Sequence, residues 1–165
     1  MIYKSLFILL TLFLILTGGC QEMSHEETSA VELPVIEKVI HASIGWAGNK
    51  DKDLLYSGMA DDEKLFWFSP DNAGTIKGRK AFENLTENFF MLEDFKAVRY
   101  EIKELEINFS QSGDVAWYHA RLDDYNTWKG QPANWEDVRW TGVLEKRGGN
   151  WVIVQMHFSD ATDKK

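Results

Sequence analysis

Asn150-Trp151-Val152-Ile153-Val154-Gln155-Met156-His157-Phe158-Ser159 is the stretch whose reading decides the fold. Its β-branched and aromatic residues make it a strand, and Gly148-Gly149-Asn150 before it makes a tight hairpin. One parity carries Trp151, Ile153, Gln155, His157 and Ser159, while the other is an apolar row of Val152, Val154, Met156 and Phe158. Such a strand belongs inside a sheet with both faces covered, one by helices and the other by a pocket or a second subunit. Parity alone does not say which face is which.

Working back along the chain, a strand is expected from about Val138 to Lys146 and another from Val115 to about Tyr125, with a loop of Gly130, Pro132 and Asn134 between them. Before these, Val98, Tyr100 and Ile102 alternate on one parity and Leu105, Ile107 and Phe109 on the other. A bulge at Lys103-Glu104 would exchange the faces and bend the strand. Phe82, Leu85, Phe89 and Phe90 recur at helical spacing after Gly78, giving a helix with an aromatic face for the sheet. Leu65 to Ser69 reads as a short strand followed by a turn over residues 70–74. Asp51 caps a short helix carrying Leu54, Leu55 and Met59. The first helix is expected to begin near Glu32, with Pro34 in its first turn, and to bury a stripe of Ile36, Val39, Ile40, Ser43 and Ile44 ending near Trp46.

The N-terminus carries a different message. Lys4 precedes an apolar run from Leu6 to Leu16, too short for a comfortable membrane span of about 20 residues, and small residues lead to Cys20, the only cysteine of the chain. Ile15-Leu16-Thr17-Gly18-Gly19-Cys20 resembles a bacterial lipobox, with Thr17 where leucine is usual. That resemblance implies a signal peptide over 1–19, acylation of Cys20, a lipidated tether over 20–31, and residence in the bacterial cell envelope. Two acyl chains would hold the protein on a lipid membrane, and Gln21 rather than aspartate after Cys20 favours the outer membrane where a cell has two.

Without residues 1–19 the chain keeps 17 basic and 26 acidic residues, a net charge of −9, which argues against nucleic acid or anionic lipid headgroups as partners. One domain is expected over 32–160, with a polar tail at 161–165. A single cysteine cannot form an internal disulfide, so stability rests on packing, for which nineteen aromatic residues follow Cys20.

Three helices, a strand between the second and third, and a closing meander follow the order of the nuclear transport factor 2-like superfamily. The chain resembles its SnoaL-like branch through Gly48-Asn49-Lys50-Asp51, Gly78-Arg79-Lys80-Ala81-Phe82, Gly113-Asp114-Val115-Ala116-Trp117 and the terminal Asn150–Ser159 strand. The resemblance implies an α+β cone in which a curved antiparallel sheet of about five to six strands wraps the first helix. It also implies a pocket at the open end and, commonly, a homodimer formed through the sheet.

Such a fold hosts isomerases, dehydratases, cyclases and binding modules, so function must come from the site. The expected pocket walls are Trp46, Phe66, Trp67, Trp117 and Trp140, with His119, Arg139, Gln155 and His157 as polar groups and a loop bearing Trp128 and Trp135 over the mouth. His157 and His119 are the candidate catalytic acid–base groups, although the favoured reading of the same cluster is hydrogen-bonded interior or interface residues. His119 and Asp123 share a strand face but would lie about 13 Å apart. His41 is expected in an exposed pair with Glu37.

The acidic pairs Asp61-Asp62 and Asp123-Asp124 lack metal-ligand spacing, and neither a phosphate-binding loop nor a nucleophile elbow is present, so no metal or cofactor is expected. Ketosteroid isomerase uses an aspartate base, but Leu65-Phe66-Trp67-Phe68-Ser69, where a base would be expected, holds no carboxylate. The favoured expectation is a membrane-anchored domain that binds a small, partly apolar ligand. The alternatives are an isomerase, dehydratase or cyclase using a pocket histidine, and a dimeric interaction module without a ligand.

Overall fold

The computed structural model describes residues 25–70 and 74–160. The expected leader, Cys20, the start of the tether, residues 71–73 of the turn and the tail at 161–165 lie outside these. No helix among the described residues is long and apolar enough to cross a membrane.

Helix α1 runs His25–Gly45 and continues into a tight turn at Trp46–Gly48. It starts earlier than expected, and Pro34 lies within it rather than in its first turn. The missing Pro34 N–H would have bonded the Ala30 carbonyl, and both residues are exposed, so water can satisfy that oxygen. The expected stripe is the buried one: Ile36 and Ile40 are fully enclosed and Ser43 nearly so. Helix α2, Lys52–Ser57, is capped by Asp51, whose carboxylate accepts the Leu54 N–H at 2.9 Å.

Strands β1 (Phe66–Phe68) and β2 (Ile76–Lys77) precede α3 (Arg79–Leu85), which widens into a π-turn at Thr86–Phe90. Strand β2 was not anticipated. The meander follows: β3 (Phe95–Phe109), β4 (Val115–Trp128), the short β5 (Gln131–Pro132), β6 (Trp135–Arg147) and β7 (Asn150–Ser159). The strands form one sheet in the order β2-β1-β7-β6-β4-β3, with β5 paired to β4. It is antiparallel except that β1, expected in an antiparallel sheet, runs parallel to β7. The parallel alignment begins at Met59, where the Ile153 N–H donates to the Gly58 carbonyl at 2.8 Å and the Ala60 N–H to the Ile153 carbonyl at 2.9 Å.

Bulges curl the sheet and choose its faces. The expected one in β3 is present: pairing with β4 slips between Lys103 and Glu106, and Glu104 takes a φ of 53°. A second lies in β7 at Val154, between the pairs Val143–Gln155 and Leu144–Ile153. It places Trp151, Ile153, Val154, Met156 and Phe158 all on the inner face, although they fall on two parities. A third lies in β6, where Leu122 faces Val138 but Asp124 faces Trp135, with Asp137 at a φ of 54°.

Inside the curl, Tyr118 meets Trp140 edge-on at 5.1 Å, Trp140 stacks on Phe158 at 5.6 Å, and Phe158 meets Trp67 at 5.7 Å. The Tyr118 ring lies over Gly142, where a Cβ would stand 2.4 Å from it. Full burial without a hydrogen-bond partner pushes the Tyr118 hydroxyl well above its ordinary pKa.

Candidate functional site

The open end of the curl holds a cavity of about 520 Å³. The end of α1 and its turn supply Ser43, Ile44, Trp46 and Ala47; β1 supplies Trp67; α3 and its π-turn supply Phe82, Leu85, Phe89 and Phe90. The start of β3 adds Phe95, the end of β4 adds Asp124 and Asn126, the start of β6 adds Trp135, and the end of β7 adds Met156 and Phe158. Each bulge has a consequence here. The β6 bulge turns Trp135 inward, where it meets Phe158 at 5.1 Å, although Val138 and Trp140 on the other parity also face in. In the π-turn Thr86 donates to the Phe82 carbonyl at 2.9 Å, and Phe90 meets Trp46 edge-on at 5.9 Å and stacks on Trp67 at 5.9 Å. Phe89 stacks on Trp128 at 4.9 Å, which fastens the π-turn to the end of β4.

Only a few polar groups interrupt this wall. Ser43 donates to its own helix at the Ile40 carbonyl, 2.7 Å away. Asn126 is 7% exposed; its backbone N–H reaches Asn134 Oδ1 at 3.1 Å, its Nδ2 faces the Asp124 carbonyl oxygen at 3.5 Å, and its Oδ1 has no partner. The reverse amide orientation would set oxygen against oxygen there, so Nδ2 toward Asp124 is the favourable one. Burial raises the pKa of the Asp124 carboxyl, opposed by its hydrogen bond with Asn126. Trp67 Nε1, a donor, also lacks a partner. A smaller cavity of about 280 Å³, between the end of α1 and β3, shares Ile44 and Asp124 with the first and is also lined by Gly45, Arg99 and Tyr100.

Of the residues expected at a pocket, Trp46 and Trp67 line the cavity. Trp140 is fully buried in the core beneath Phe158 and does not reach it. Phe66, Trp117, His119, Arg139, Gln155 and His157 stand on the opposite face of the sheet, because the bulges direct the other residues of their strands inward. There Phe66, Gln155, Val143, Trp117 and Asn108 form one row across the strands, and Phe68, His157, Thr141, His119 and Glu106 the next. His119 is more than half exposed, with Nε2 3.5 Å from Glu106, and His157 is exposed beside Phe68. Among the described residues no histidine lines the cavity.

Asp123 is occupied by Lys103 at 3.0 Å and by the Asp137 N–H at 2.7 Å, so it stabilises the β6 bulge rather than His119. Those contacts, the Asp137 N–H foremost, lower its pKa. His41 bonds the Tyr100 hydroxyl at 3.2 Å instead of Glu37. Sequence reading missed Asp124 and Asn126, although a signal existed. The β4 parity of Ala116, Tyr118, Ala120 and Leu122 is wholly apolar or small, hence inward, and Asp124 and Asn126 end that row.

The model of the SnoaL-like domain matches residues 36–163. No curated protein matches the sequence. Among solved structures, an NTF2-like protein of unknown function from Pseudomonas putida KT2440 shares 22% identity over 83% of this chain and 91% of its own, with a TM-score of 0.61. An NTF-2 like protein of unknown function from Shewanella oneidensis MR-1 is 21% identical over 78% of this chain and 98% of its own, at a TM-score of 0.57. The hexachlorocyclohexane dehydrochlorinase LinA-type3 from Novosphingobium barchaimii LL02 is 17% identical over 84% of this chain and 95% of its own, at 0.62. At these identities the likeness is one of fold.

Proposed function

This chain belongs to the SnoaL-like domain family, and on that premise we propose that it is a binding domain, tethered to the cell envelope through acylated Cys20, whose aromatic cavity takes one small, partly apolar molecule. The observation that carries this reading is the cavity itself. A space of about 520 Å³, walled by rings from six elements and closed by an aspartate and an asparagine, has the size and lining of small-molecule sites. A mainly apolar wall supplies affinity, and the two polar groups orient the ligand.

Native mass spectrometry of the full chain purified from its own host, compared with its denatured mass, tests this reading. Extra mass that departs on denaturation supports a bound ligand and gives its compound class. A bare protein that also takes up no compound from a host extract overturns the reading. A shift of the denatured mass by a diacylglyceryl group, with loss of residues 1–19, tests the tether.

Asp124 favours a second reading as an enzyme. A carboxyl whose pKa is raised by burial in an apolar cavity is a suitable proton acceptor and donor. Turnover of the recovered compound, abolished in Asp124→Asn, would establish it. The histidine-based version loses its footing, since His119 and His157 face away from the cavity.

A further inference from the structure

We propose that the cavity selects an organic cation: an amine whose ammonium group lies between Asp124 and Asn126 and whose apolar or aromatic body fills the ring-walled space. This rests on the cavity being a binding site and names the ligand's chemical class.

Charge is the first argument. Among the described residues Asp124 is the one charged residue on the cavity wall, and no lysine, arginine or histidine joins it there. Elsewhere in the fold half-buried acids have cations: Asp123 meets Lys103 at 3.0 Å, Asp62 meets Arg147 at 3.1 Å and Glu32 meets Lys146 at 2.6 Å. Asp124 has no such partner among the described residues. Arg99, which lines the smaller cavity together with Asp124, places its guanidinium over the Tyr125 ring at 3.6 Å and forms no ion pair with Asp124. A carboxylate withdrawn from water without a counterion is a standing cost that a bound cation removes.

Hydrogen-bonding capacity gives the second. Asn126 is more than nine-tenths buried, lines the cavity and leaves Oδ1 without a donor. Asp124 and Asn126 together offer acceptors, which an ammonium can satisfy with its three N–H groups. The walls give the third argument, because the rings of Trp46, Trp67, Trp135, Phe89, Phe90 and Phe95 line the cavity, and aromatic rings attract cations through their quadrupoles. The formal charge of −8 for the whole chain adds a weak attraction of the same sign. Among the described residues Trp67 Nε1 is the one buried unpartnered donor on the wall, and a neutral ligand bearing an acceptor would use it instead.

Three ligands of matched shape separate these possibilities: 3-phenylpropylamine, 3-phenylpropan-1-ol and 3-phenylpropionate. They would be titrated calorimetrically at pH 7 into the full chain in detergent, with detergent-only blanks. The amine should bind at least about tenfold more tightly than the alcohol, with the carboxylate weakest. Asp124→Asn, nearly isosteric, should remove that preference, bringing amine and alcohol within about twofold of each other. Amine and alcohol binding equally, or the carboxylate binding best, overturns the cation assignment while leaving the cavity as a binding site. Failure of all three to bind overturns both. Should Asp124→Asn not fold, as judged by circular dichroism, the order of the three ligands on the unaltered chain still decides.

Discussion

Gly142 shows how far one residue's chemistry reaches. It faces Tyr118 across the β4–β6 ladder, and the phenol lies flat over it because no Cβ stands in the way. That placement lets Trp140 meet Tyr118 edge-on and stack on Phe158, which in turn supports the cavity wall. Gly142→Ala would put a methyl 2.4 Å from a rigid, enclosed ring. We expect it to destabilise the domain by about 1 to 3 kcal/mol, read from the urea midpoint at unchanged m-value. At this scale the sequence was partly legible. Trp46 and Trp67 were recognised as wall residues because aromatic side chains near a predicted cone mouth are obvious candidates. Asp124 was passed over because an acidic pair at a strand end looks like solvated turn chemistry.

Elements are joined by contacts that no local pattern announces. Glu32 on α1 accepts from Lys146 on β6 at 2.6 Å and from Trp151 Nε1 on β7 at 2.5 Å, clasping the helix to the last two strands. Those two hydrogen bonds, the Lys146 one foremost, hold its carboxyl below the ordinary value of 4.5. A carboxyl whose folded pKa is lowered stabilises the fold fully above its unfolded value and loses that contribution as pH falls through the folded one. Glu32→Gln should therefore cost about 1 kcal/mol near pH 7, solvent screening included. The gap to the parent should close as pH drops below about 4.5, where both chains bind Lys146 only weakly. Chemical denaturation at a series of pH values checks this. Equal midpoints at pH 7 would show that the clasp contributes nothing. The bulges are elements of a similar kind. The one at Lys103-Glu104 of β3 was readable because the apolar residues change parity there, whereas those in β6 and β7 and the slip at Val98 of β3 were hidden. In β7 the residues before Val154, Trp151, Val152 and Ile153, are apolar on both parities and mask the change of face, and in β6 the slip depends on Asp123 of the neighbouring strand accepting the Asp137 N–H.

Across the whole molecule, the face that turns away from α1 carries what the sequence placed in a pocket. Phe68 and Trp117 are each more than two-fifths exposed there, amid Phe66, Val143 and His157. We propose that a second copy of the chain covers this face, as apolar residues so gathered on an open sheet call for a partner. The double variant Phe68→Ser with Trp117→Ser, both side chains being solvent-facing in the isolated chain, should shift sedimentation from dimer toward monomer and raise the dissociation constant at least about tenfold. A parent chain that sediments as a monomer would end the proposal. The sequence by itself determined the family, through its resemblance over a few segments; it also determined the order of the three helices and five of the strands, the buried stripe of α1 and the bulge at Lys103-Glu104 of β3, because these follow from periodicity, capping and turn chemistry within short windows. Only the tertiary structure decided which face of each strand looks inward. A single-residue slip between neighbouring strands exchanges the faces, and that slip is set by pairing between strands rather than by any strand alone.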